Sequence, residues 1–123
     1  MNSTVLVVDA ANVVGSVPDG WWRDRRGAAE RLRDRLVPYA DEGVAGRAGP
    51  LDVVLVVEGA ARGVESVPGV RVVSASGSGD DLIVELVAGE ERPCLVVTAD
   101  RELRRRVGEL GAECMGPRAV RPV

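Results

Sequence analysis

The sequence predicts an α/β fold: a doubly wound domain with a central parallel sheet flanked by helices on both faces. Three observations predict it. Continuous apolar runs recur at Thr4–Val8, Asp52–Val57 and Cys94–Val97, without the polar alternation of a half-exposed strand. Helical patterns alternate with these runs, as in a sheet crossed by helices. The chain has no Phe, one Tyr and two Trp, so Val, Leu and Ala must fill the core. Such a core suits β-branched strands under Ala/Leu-rich helices.

The elements follow in order. "VLVVDAANVVGS" begins as a buried strand and delivers Asp9 and Asn12 into the loop at its tip. Ala28, Ala29, Leu32, Leu36 and Ala40 recur at helical spacing within a charged stretch from about Asp24 to Asp41, which Pro38 kinks or shortens. The second buried run ends in Glu58. A third strand spans Val70–Ser74, and its loop "SASGSG" leads to Asp80 and Asp81. Leu82, Ile83, Leu86 and Val87 give the next helix its apolar face. The run Cys94–Val97 ends in "TAD", and Leu103, Val107 and Leu110 form the face of a last helix. A weaker strand is expected at Ala112–Met115. Gly43–Pro50, Gly59–Gly69 and Ser74–Gly79 read as connections inside one domain. Residues 1–115 form that domain, and residues 116–123 a short irregular tail.

Composition limits the chemistry. There is no His, and all 16 cationic side chains are Arg. Histidine triads, histidine zinc sites, Schiff bases and the P-loop lysine are therefore excluded. An enzyme built from this chain must work through carboxylates and a hard metal ion. The net charge of −3 argues against a generic nucleic-acid coat, but a divalent ion offsets a local acidic cluster. Cys94 and Cys114 fit buried, reduced thiols in a cytoplasmic protein. No apolar run is long enough to span a membrane, and no signal peptide is apparent.

Ligands of open parallel sheets bind outside the carboxyl ends of the strands. Four strands each deliver an acid there: Asp9, Glu58, Asp80 and Asp100. Grouped carboxylates repel one another, and Mg²⁺ or Mn²⁺ relieves that repulsion. Each acid also has a structural reading. Asp100 suits an N-cap, Asp80 and Asp81 a helix's first turn, Glu58 a pair with Arg62, and Asp9 an Asx turn. Ser78 and Asp81 have the spacing of a capping box. The coincidence at four strand ends favours a site.

"VVDAANV", "SGSGDDLIVEL" and "VVTADREL", in this order, resemble the NYN ribonuclease domains, in particular the YacP-like group of the PIN-like nuclease superfamily. The resemblance covers about Val5 to Met115. It implies a PIN-like sheet with acids at one edge, Mg²⁺ or Mn²⁺ as cofactor, and endonucleolytic cleavage of RNA leaving a 5′-phosphate and a 3′-hydroxyl. Residue by residue, it implies Asp9, Asn12, Asp80 and Asp100 as the catalytic set, with Asp9, Asp80 and Asp100 on metal. Glu58 stands where relatives often carry Asp and is counted with the metal ligands. "GSGDD" departs from the "TADD"-like run of the group and lacks its threonine.

Metal-assisted phosphodiester hydrolysis is therefore expected, on single-stranded or structured RNA. Asn12 is expected to orient a metal-bound water or a phosphate oxygen. Thr98 either hydrogen-bonds Asp100 or simply ends its strand. Arg62 and Arg101 are expected to hold the RNA backbone. Of the adjacent Trp21 and Trp22, one is expected to pack on the core and the other, taken as Trp22, to stack on a base. The alternative is a non-catalytic PIN-like module that binds RNA or a protein. The missing Lys excludes a response-regulator receiver, and Ala11 excludes a haloacid-dehalogenase-type D-x-D motif.

Overall fold

A computed structural model describes residues 3–120. Five parallel strands form the sheet: β1 (Thr4–Asp9), β4 (Leu51–Val57), β5 (Val70–Ser74), β6 (Cys94–Val97) and β7 (Glu113–Met115), in the order β5-β4-β1-β6-β7. The three continuous apolar runs are the three inner strands, and β1 is the central one. Their side chains are buried on both faces, so neither parity of residue can be polar. β5 and β7 lie at the edges and carry the more mixed sequences.

Alternate residues of the inner strands feed two separate cores. Leu6, Val8, Val53 and Leu55 pack on α1 (Ala10–Gly15) and α2 (Arg25–Leu36), through Val13, Ala29, Leu32 and Leu36. Val5, Val7, Val54 and Val56 pack on α4 (Gly79–Ala88) and α5 (Arg101–Gly108), through Ile83, Val87, Leu103 and Val107. The chain is thus doubly wound. It moves outward from β1 through β4 to β5, then crosses by α4 to β6 on the other side of β1. The reversal between β1 and β6 is the switch point at which such sheets bind ligands.

Several boundaries differ from the sequence pattern. Asp9 and Asn12 do not lie in a loop: Asp9 ends β1 and caps α1, and Asn12 lies within that helix. The long charged helix stops at Leu36, because Pro38 has no N–H to continue the ladder and its ring crowds the carbonyl four residues back. A separate turn, α3 (Tyr39–Glu42), follows. The connection before Pro50 contains a small hairpin of β2 (Gly43–Val44) and β3 (Arg47–Ala48). Its tight closure needs Gly43, at φ +84°, where a Cβ would meet the Arg47 carbonyl. Leu110 does not join the last apolar face; α5 ends at Gly108 and Leu110 is exposed. The tail is not wholly irregular. Pro117–Ala119 form a 3₁₀ turn, and Val120 is buried in the first core. Residues 121–123 of that tail lie outside the described residues. Cys94 is buried, Cys114 is half-buried, and both are free thiols.

Candidate active site

The carboxyl edge of the sheet gathers the four acids that the strand ends deliver. Asp9 is 4% exposed. Its Oδ1 accepts the Asn12 amide N–H at 3.4 Å, capping α1, and its Oδ2 accepts the Thr98 hydroxyl at 3.0 Å. Thr98, fully buried at the end of β6, also accepts the Asp100 amide N–H at 3.1 Å. Its hydroxyl therefore clamps Asp9 rather than the Asp100 carboxylate. Asp100 caps α5 by accepting the Leu103 amide at 3.0 Å, and the Arg104 Nε–H donates to the Thr98 carbonyl at 2.9 Å. Asn12 Oδ1 accepts the Ala99 amide at 2.8 Å, which ties α1 to the loop after β6 across the switch point.

The other two acids complete the edge. Ser78 caps α4 by accepting the Asp81 amide at 3.2 Å, which places Asp80 in the first turn. Gly79 there approaches Glu58 so closely that a Cβ would lie 2.7 Å from its Oε1. The Glu58 carboxylate thus sits at a helix N-terminus, where the dipole favours negative charge. The expected pair between Glu58 and Arg62 is not formed. The Arg62 guanidinium donates instead to the Gly59 and Ser76 carbonyls, joining the loops after β4 and β5.

The four acids feel one another. Burial pushes the Asp9 carboxyl up to about 6; the Thr98 and Asn12 hydrogen bonds pull it down, and the charges of Asp80 and Glu58 push it further up. Asp80 is also raised, by burial first and then by Asp100 and Glu58, against the pull of Arg106. The opposite edge of the sheet is a control. There Asp52 and Glu90 are neutralised by Arg92, at 3.0 and 2.8 Å, and Arg71 stands 3.9 Å from Asp52. Among the described residues, no salt bridge reaches Asp9, Glu58, Asp80 or Asp100. Arginine therefore pairs with the acids at one edge and, among the described residues, forms no salt bridge with the four at the other.

This donor set suits a hard divalent ion: it is all oxygen, it is mutually repulsive, and among the described residues it has no salt-bridge partner. Among the described residues, however, no three acids stand together as a ready-made ligand cage. An ion that keeps several waters, as Mg²⁺ does, fits that spacing better than a fully stripped one.

The expected RNA-holding residues fall around this edge. Arg101 opens α5 beside Asp100, is exposed, and makes no hydrogen bond or ion pair among the described residues. Arg105 is bound to Glu102 and Glu109, and Arg106 reaches Asp81 at 3.1 Å, so these two are committed to the helix surface. Trp22 is 54% exposed and meets Trp21 edge-on, with ring centroids 6.0 Å apart. Trp21 forms one wall of a cleft of about 220 Å³ beside Glu58, together with Arg25, Ala10, Ala11 and Ala61. Sequence reasoning missed this cleft and the role of Arg25. The only signal for it is the adjacency of aromatic and cationic residues in "GWWRDRR".

No family model matches the chain, and no curated protein does. Among solved structures, the crystal structure of Rae1 (YacP) from Bacillus subtilis superposes with a TM-score of 0.76 at 19% identity, covering 94% of this chain and 70% of that one. A mutant of the same protein gives 0.75 at 18% identity, over 95% and 72% of the two chains. The chain therefore has a YacP-like fold, a central parallel sheet with flanking helices.

Proposed function

We propose that this protein is a metal-dependent ribonuclease that hydrolyses RNA phosphodiester bonds endonucleolytically. One observation carries the reading: four strand ends bring acids that have no salt bridge among the described residues to a single edge, at the switch point of a YacP-like fold. Asp9, Asp80 and Asp100 would hold Mg²⁺ or Mn²⁺, directly or through water. A bound ion at this edge supplies a water of lowered pKa and offsets charge on the phosphate. The chain's own residues do the rest. Thr98 and the Asn12 amide fix the rotamer of Asp9. The Asn12 side-chain amide, whose oxygen is held by Ala99, keeps its N–H groups for a phosphate oxygen or a water. A carboxylate of the set accepts the proton of the attacking water, so no histidine is needed. Arg101 is placed to take the RNA backbone and Trp22 to stack on a base.

The lack, among the described residues, of a ready-made three-acid cage favours a second reading, a PIN-like module that binds RNA or a protein without cutting. One assay separates them. Single-stranded and structured RNA are incubated with the protein in Mn²⁺ or Mg²⁺, with EDTA and Asp80→Asn as controls. Cleavage that needs both metal and Asp80 is expected. Its absence sinks the nuclease reading.

A further inference from the structure

The cleft beside Glu58 has the chemistry of a base subsite. Its lining is largely apolar, made by Ala10, Ala11, Val14 and Ala61, with Trp21 beside them. At about 220 Å³ it is smaller than the roughly 300 Å³ at which pockets for drug-sized ligands begin, so it admits a single flat ring system rather than a whole nucleotide. Two charged groups border it. The Arg25 guanidinium lies 5.3 Å from the Trp21 ring centroid, which holds it in place. Beyond that ring, Arg25 has no hydrogen bond or ion pair among the described residues. The Glu58 carboxylate likewise accepts no hydrogen bond among the described residues, and the two side chains are not paired with each other. A donor-only side chain and an acceptor-only side chain thus line one small cleft, neither with a hydrogen bond or ion pair among the described residues.

We propose that this cleft binds a guanine base of the RNA strand. Guanine alone among the four bases offers acceptors at O6 and N7 on one edge and donors at N1–H and the 2-amino group on the next. The first pair suits the guanidinium fork and the second suits a carboxylate. The ring packs against the Trp21 indole and the alanine lining. Glu58 is then assigned to the base rather than to the ion. Its position between the cleft and the other acids sets the guanine next to the bond to be cut. The inference rests on the ribonuclease reading for the identity of the strand.

The test uses Trp21 as its own reporter. Trp22→Phe leaves Trp21 the only tryptophan, and Asp80→Asn in the same chain prevents cutting during the titration. A short oligouridine RNA with one central guanosine is added in Mg²⁺, alongside versions with adenosine or inosine at that position. Saturable quenching about tenfold tighter for guanosine than for either substitute is expected, because each loses donors or acceptors worth about that much. Arg25→Ala is expected to narrow the preference over adenosine, and Glu58→Ala to abolish the preference over inosine. Quenching indifferent to the central base, or a preference over inosine that survives Glu58→Ala, overturns the guanine subsite. RNA cleavage by the unmodified chain together with base-indifferent quenching removes the cleft and leaves the nuclease. Guanosine-dependent quenching without any cleavage removes the nuclease and leaves the cleft.

Discussion

Asp9 is held where a carboxylate is least comfortable, and its surroundings set a measurable pH dependence. Its carboxyl is raised from 3.8 to about 6 in the folded chain. The unfolded chain therefore releases this proton more readily, and ionisation favours unfolding. The contribution to stability is fully present below about pH 4 and is lost as pH rises through about 6. The difference amounts to about 3 kcal/mol. In EDTA, Asp9→Asn should therefore be the more stable protein at pH 7, by up to about 3 kcal/mol, and the two should converge near pH 4. Denaturant unfolding across that range checks it. Parallel curves for the two proteins would show that Asp9 ionises without penalty.

At the scale of elements, two of the helices bordering the site start on an acid of the site: Asp9 caps α1 and Asp100 caps α5, whereas Ser78 caps α4 as a plain hydroxyl. Capping and chemistry can be separated at Asp100. Asp100→Ala should lose about 1 kcal/mol of stability with its cap, whereas Asp100→Ser should keep most of it, because serine caps as well as aspartate. Both should lose RNA cleavage if the carboxylate serves the ion. Cleavage surviving in the serine variant would reduce Asp100 to a cap. These elements also show what a sequence can reveal. β1, β4 and β6 were legible because double-sided burial leaves an unmistakable run of apolar residues. The acids were legible because a strand's end fixes where the next residue goes. α1 was not: six residues are too few to display a helical period. The Thr98 clamp and the Trp21–Arg25 cleft were invisible because each is made by segments that meet only in three dimensions.

Across the whole molecule, arginine is distributed unevenly. It neutralises acids at the amino edge of the sheet and leaves those at the carboxyl edge exposed to one another. A divalent ion should therefore stabilise the fold as a whole. At a hundredfold excess over its Kd, Mn²⁺ should add about 2.7 kcal/mol, a rise in Tm on the order of 10 °C. Thermal melts with and without Mn²⁺ measure it, and Asp9→Asn should abolish the shift. An unchanged Tm in the parent chain would mean that these acids do not gather a cation. The Thr98 clamp has a consequence for assembly as well. Its hydroxyl comes from 89 residues beyond Asp9, and β1 meets β6 only after β4, β5 and α4 have been made between them in sequence. Such distant pairings close late and slowly. A chain that has formed only β1 and β4 already has its buried acid but not the group that steadies it. Competence at this edge therefore reports that β6 has docked beside β1.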